Sequence, residues 1–146
     1  MSETKRTPNK SVVVGTIGSD AHVIGGWVIS EAFKAAGYKV SFLGAVVPQE
    51  EFINAAIESD ADAILCSSMY GMGQIDCEGM REKCIEAGIG DIILYVGGNP
   101  VADVDLMKDW PRVEKIFTDL GFNRCLPNTT SAEETVALLN KDLGLE

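Results

Sequence analysis

Five short apolar runs, each followed by a longer amphipathic stretch, constrain this chain more than any other feature. The runs are Ser11 to Ile17, Lys39 to Leu43, Ala63 to Ser67, Ile92 to Val96 and Arg124 to Leu126. Between and after them lie stretches of helical periodicity. The first runs from about Val23 to Ala36, with Val28, Ile29, Ala32 and Phe33 on one face, and stops at Gly37. Pro48 opens the second, about Gln49 to Ser59, with a stripe of Phe52, Ile53, Ala56 and Ile57. The third is expected over about Ile75 to Ala87, closed by Gly88. The fourth lies within Met107 to Leu120, where Pro111 suits its first turn, and it ends at Gly121. Ser131 caps the fifth, Ala132 to Leu143, which carries Glu133 and Glu134 in its first turn.

Strand–helix alternation at this spacing means a parallel sheet covered on both faces. Right-handed crossovers make it doubly wound. Pattern alone does not separate the two common strand orders. The flavodoxin-like (Rossmann-type) order 2-1-3-4-5 is adopted because five units fill it, which places the switch point between strands one and three. A length of 146 residues fits one α/β domain, here residues 11–146. Residues 1–10 are polar, carry Lys5, Arg6 and Lys10, and read as a disordered leader without the apolar centre of a secretory signal. No apolar run approaches membrane-spanning length. The formal charge of −10 argues against nucleic-acid binding, which needs a basic face.

Cys66, Cys77, Cys84 and Cys125 form no C-x-x-C pair, and with a single histidine no zinc signature can be assembled. They read as reduced thiols of a cytoplasmic protein. Cys77 and Cys84 are seven apart on one expected helix and read as packing groups. Met69, Met72 and Met80 are likewise read as packing rather than ligation. Trp27 is either core or partner-facing, and Trp110 is expected to staple a helix start beside Pro111.

The lone histidine, His22, falls on the loop after the first strand, at the sheet edge where ligands bind in such folds. Asp20 lies two residues before it. A carboxylate beside an imidazole is the arrangement that fixes the tautomer of a metal-ligating histidine. A surface histidine near a helix start, with Asp20 as its cap, is the other reading of the octapeptide Gly18 to Gly25. Two further signals share that rim. Ser67-Ser68-Met69 begins after residues 26–66, an interval of 41, and Gly97-Gly98 follows residues 70–96, an interval of 27.

D-x-H-x-x-G, then S-x-M, then G-G at these separations resembles the fingerprint of cobalamin-binding domains. Met69 stands where that pattern has leucine, a swap of similar volume. The resemblance implies that His22 is the lower axial ligand of cobalt and that Asp20 hydrogen-bonds its other ring nitrogen. It implies a cofactor site that also takes in Ser19, Ala21, Val23 and Gly25 on the loop. The displaced nucleotide tail would enter a slot between sheet and helices, beside Ser67, Ser68 and Met69. Gly97 and Gly98 would let it run against bare backbone, and Asn99, Pro100, Val101, Ala102 and Asp103 would line it next.

The stretches Gln49 to Glu58, Ser67 to Gly71, Ile75 to Cys84 and Tyr95 to Asn99 look like one family in particular, the small subunits of glutamate mutase (methylaspartate mutase). That resemblance covers nearly the whole chain. It implies adenosylcobalamin as cofactor and an adenosyl-radical carbon-skeleton rearrangement between (S)-glutamate and (2S,3S)-3-methylaspartate. It also implies a large barrel subunit as partner, in a heterotetramer of two small and two large subunits, with no role for nucleic acid or membrane. No arginine cluster on the expected rim could grip a dicarboxylate, which fits substrate binding by the large subunit. The alternative is a corrinoid carrier protein of a methyltransferase system. Against it, only about ten residues precede strand one, too few for the helical cap such carriers usually have.

Overall fold

The computed structural model describes residues 10–18, 24–68, 73–98, 106–127 and 130–145. Its strands are β1 (Ser11–Thr16), β2 (Lys39–Phe42), β3 (Ala63–Ser68), β4 (Ile93–Gly98) and β5 (Arg124–Pro127). All pair in parallel, as expected from the alternation, and in the adopted order β2-β1-β3-β4-β5. β1 is buried along its whole length, because helices cover both of its faces. The helices are α1 (Ile24–Ala35), α2 (Gln49–Ser59), α3 (Gly73–Cys77), α4 (Met80–Glu86), α5 (Leu106–Asp119) and α6 (Ala132–Asp142).

Register carries the motif spacing into space. Thr16 pairs with Ser67, Ser67 with Gly97, and Gly97 with Leu126. One row at the carboxyl edge therefore crosses four strands and joins the Ser67 and Gly97 motifs to the end of β1. The intervals in sequence are what three crossovers of fixed length require.

Several expectations are corrected by packing. The third helix is two. Gly79 adopts φ +82° between α3 and α4, a left-handed geometry that glycine takes readily. The break lets Arg81 turn inward, where it donates to the carbonyls of Gly90, Ile92 and Gly121 at 2.7–2.9 Å. Pro111 falls in the second turn of α5, not the first, since that helix already begins at Leu106. Trp110 therefore staples no helix start; it is half-buried against the core under α5. Val28 and Ile57, expected on buried stripes, are 45% and 48% exposed. α1 and α2 bury narrower faces than their apolar patterns offer. By contrast α2 spans the expected residues, and Ser131 and Glu134 form a reciprocal capping box at the start of α6. All four cysteines are buried free thiols.

Candidate functional site

Ser67, Gly97 and Leu126 of that row floor a cavity of about 210 Å³ at the carboxyl edge of the sheet. α1 supplies one wall through Gly26 and Ile29, and α6 with the segment before it supplies the other through Thr130 and Thr135. Between them lie Val14, Leu65, Tyr95 and Pro127. The lining is mostly apolar, with a few hydroxyls, the composition of a small-molecule site. Two glycines keep it open. A Cβ at Gly97 would meet only Leu126, at 3.5 Å from its carbonyl oxygen, so nothing in the packing demands glycine there. At Gly26 a Cβ would approach Phe42 at 3.4 Å and Thr16 at 3.7 Å, where α1 lies close to the sheet.

Ser67 is placed in the cavity wall, next to Gly97. Ser68 alternates to the other face, with Ile64 and Cys66. It is fully buried, and its hydroxyl finds no hydrogen-bond partner among the described residues. Gly98 pairs with Ser68 and Pro127 at the strand ends. Gly25 belongs to the first turn of α1. Ser19, Asp20, Ala21, His22 and Val23 lie outside the described residues, as do Met69 and the segment Asn99, Pro100, Val101, Ala102 and Asp103.

Sequence reasoning missed Tyr95, Leu126, Pro127, Thr130 and Thr135. The signal for the last four was present: Leu126 and Pro127 end β5, and Thr130 and Thr135 follow it, on the same rim as the carboxyl ends of β1, β3 and β4. Tyr95 has its ring in the cavity wall, and its hydroxyl donates to the Asp142 carboxylate. Arg124 binds the same carboxylate through two nitrogens, at 2.8 and 2.9 Å. The guanidinium holds Asp142 below the usual carboxylate range. Burial, then the bond to Asp142, pushes the Tyr95 phenol up, so it stays a neutral donor. Tyr38 likewise donates to Asn140 at 2.5 Å. α6 is thus fastened at its carboxyl-terminal end, while its amino-terminal end borders the cavity.

A B12 binding domain family matches residues 10–113 of this chain. Two relatives, each named glutamate mutase sigma subunit, come from Clostridium tetani and Clostridium cochlearium. Both are 50% identical over 137 residues, covering 94% of this chain and 98% of theirs. Among solved structures, a cobalamin-binding protein from Desulfitobacterium hafniense superposes with a TM-score of 0.72 at 19% identity, a likeness of fold. The match covers 94% of this chain but 60% of that one, so this chain spans less than two thirds of its length.

Proposed function

This chain belongs to the family of glutamate mutase sigma subunits, and we propose that it holds adenosylcobalamin with His22 on cobalt and the nucleotide tail in the cavity under α1 and α6. Its function is that of the cobalamin-binding subunit of glutamate mutase, an isomerase. The observation that carries the finer reading is the aligned row of Ser67 and Gly97 beside an apolar slot, on the edge from which the His22 loop departs. A flat aromatic base suits such walls, and the Ser67 hydroxyl suits one of its ring nitrogens. Glycine at 97, with space around it, suits a ligand that runs against backbone.

Bound adenosylcobalamin supplies the radical that begins the rearrangement of glutamate. The chain's own residues hold and orient it. His22 gives a ring nitrogen to the metal, and Asp20 fixes the tautomer by accepting from the other nitrogen. Apolar walls keep water from the tail. The large subunit, which the sigma name implies, meets the carboxyl edge, in a heterotetramer of two copies of each, within the cytoplasm. Trp27, Val46 and Ile75 support that surface, being 53%, 55% and 64% exposed on segments bordering this edge. Among the described residues no helix is long and apolar enough to cross a membrane. The methyltransferase-carrier reading has less support. Likeness to a monomethylamine corrinoid protein and to a methanol:cobalamin methyltransferase complex of Methanosarcina barkeri is one of fold alone, at 18–21% identity.

The test combines the chain with the large subunit, glutamate and adenosylcobalamin and follows 3-methylaspartate. Activity is expected only from the mixture, and His22→Ala should abolish most of it. Nitrogen-labelled histidine should split the spin-resonance signal of bound cob(II)alamin. An unsplit signal would overturn the ligand assignment.

A further inference from the structure

The exit of β1 is tied down by contacts outside the slot. Gly18 leaves the strand at φ +75°. Its N–H donates to the Val47 carbonyl at 2.8 Å, and Ile17 bridges to Val47. On its other side lies a carboxylate. A Cβ built on Gly18 would stand 2.3 Å from Asp76 Cγ and 2.4–2.5 Å from both carboxylate oxygens. Asp76 therefore presses directly on the Gly18 backbone and fills the space any side chain would need.

Asp76 is itself anchored. Gln49 Nε2 donates to the Asp76 carbonyl at 2.6 Å and to the Glu78 carbonyl at 2.9 Å. Gln49 is the first residue of α2, one residue beyond Val47-Pro48. One knot thus joins the start of the β1–α1 connection and the end of the β2–α2 connection to the carboxyl-terminal part of α3. Asp20 and His22 follow Gly18 by two and four residues. The direction in which the chain leaves Gly18 decides where those two side chains can reach.

We propose that Asp76 is a positioning residue for the histidine ligand: its carboxylate, seated on Gly18, sets the exit of the loop that bears Asp20 and His22. The inference rests on the assignment of His22 to cobalt made above. Two features favour a device over mere packing. With Gly18 at positive φ and a carboxylate in its Cβ space, no side chain is admitted at 18 while Asp76 keeps this position. And the contact lies at the rim, where apolar burial gains least from it. If only a fraction of the chain holds the loop in its binding geometry, the apparent dissociation constant rises by the inverse of that fraction.

The test measures cobalamin affinity, the histidine-split fraction of the cob(II)alamin signal and thermal midpoint for Asp76→Ala, Asp76→Asn and His22→Ala. Asp76→Ala should weaken cobalamin by about tenfold or more, the scale of losing an outer-shell partner, and lower the split fraction. Its melting should stay near wild type. Asp76→Asn keeps the volume and one acceptor oxygen, and should fall between the two. Gly18→Ala should weaken binding strongly in the parent and less in the Asp76→Ala background, where the collision is gone. Full splitting with affinity within about twofold of the parent in Asp76→Ala would overturn the proposal. So would a loss that merely tracks the unfolded fraction, or equal Gly18→Ala losses in both backgrounds. Unchanged affinity in His22→Ala, or an unsplit signal in the labelled parent, would instead locate the failure in the ligand assignment, and the proposal would fall with it.

Discussion

The two faces of the sheet are built to different ends. The face under α2, α3, α4 and α5 is closed: Val13, Phe52, Ile64, Met80, Leu94 and Phe117 are fully buried there, together with all four thiols. The face under α1 and α6 has a smaller core around Val12, Val14, Phe33, Tyr95 and Leu139. At its carboxyl edge that core opens into the cavity lined by Ser67 and Gly97. Unfilled apolar volume forfeits dispersion contacts, so it costs stability. On the open face, polar ties supplement packing: Tyr38 to Asn140, and Tyr95 and Arg124 to Asp142. The lesson is a division of labour within one small domain. One face holds the fold while the other keeps room for a ligand.

That division can be broken by mutation. Phe117 is fully buried on the closed face, edge-on to Phe122 at a centroid distance of 6.3 Å. Phe117→Ala should cost ~3–5 kcal/mol by lost burial and a residual cavity. Denaturant titration checks this, and the fraction still folded should bind cobalamin with unchanged affinity. A selective loss of affinity would show that the faces are not separable.

On the open face, Asp142→Ala strips the acceptor from a buried phenol and a guanidinium. The expected cost is ~1–3 kcal/mol, that of leaving a buried donor unsatisfied. Because Arg124 lowers the folded-state pKa of Asp142, the stabilisation is present at neutral pH and is lost as pH falls through that lowered range. Melting curves across acid pH should be flatter for Asp142→Asn than for the parent.

Alkaline pH probes the closed face. Burial pushes the Cys125 thiol up from the ordinary 9.0 to about 12, and the Cys66 and Cys84 thiols up as well. A raised folded-state pKa means full stability below about 9 and a decline as pH rises toward about 12, because the unfolded chain ionises first. Urea midpoints at rising pH should show the decline, and native-state alkylation at neutral pH should be slow at all four cysteines.

The smallest effect on stability sharpens the comparison most. Gly97→Val places methyl groups in the slot, where little opposes them. The melting temperature should move by the equivalent of less than ~1 kcal/mol, while cobalamin affinity should collapse. A large loss of stability would mean that Gly97 serves the fold and not the ligand.

Much of the fold was legible because period and punctuation are local. The Phe52, Ile53 and Ala56 stripe after Pro48 sufficed to place α2, and Ser131 with Glu134 sufficed to start α6. Where local signals competed, tertiary packing decided. Gly79 could have been tolerated within a helix, but Arg81 needs the turn to reach three carbonyls. Val28 and Ile57 continue apolar stripes, yet packing leaves them 45% and 48% exposed.

The sequence alone determined the alternation of elements, the parallel sheet and the spacing that sets Ser67 and Gly97 side by side, since each follows from chain periodicity and crossover length. Only the tertiary structure decided that α6 walls the slot, that Tyr95 and Arg124 tie its far end through Asp142, and that Asp76 fills the Cβ space of Gly18. A void and a close contact are each made by elements distant in the chain. No local pattern records them, because neither exists until separate crossovers have packed against the same edge of the sheet.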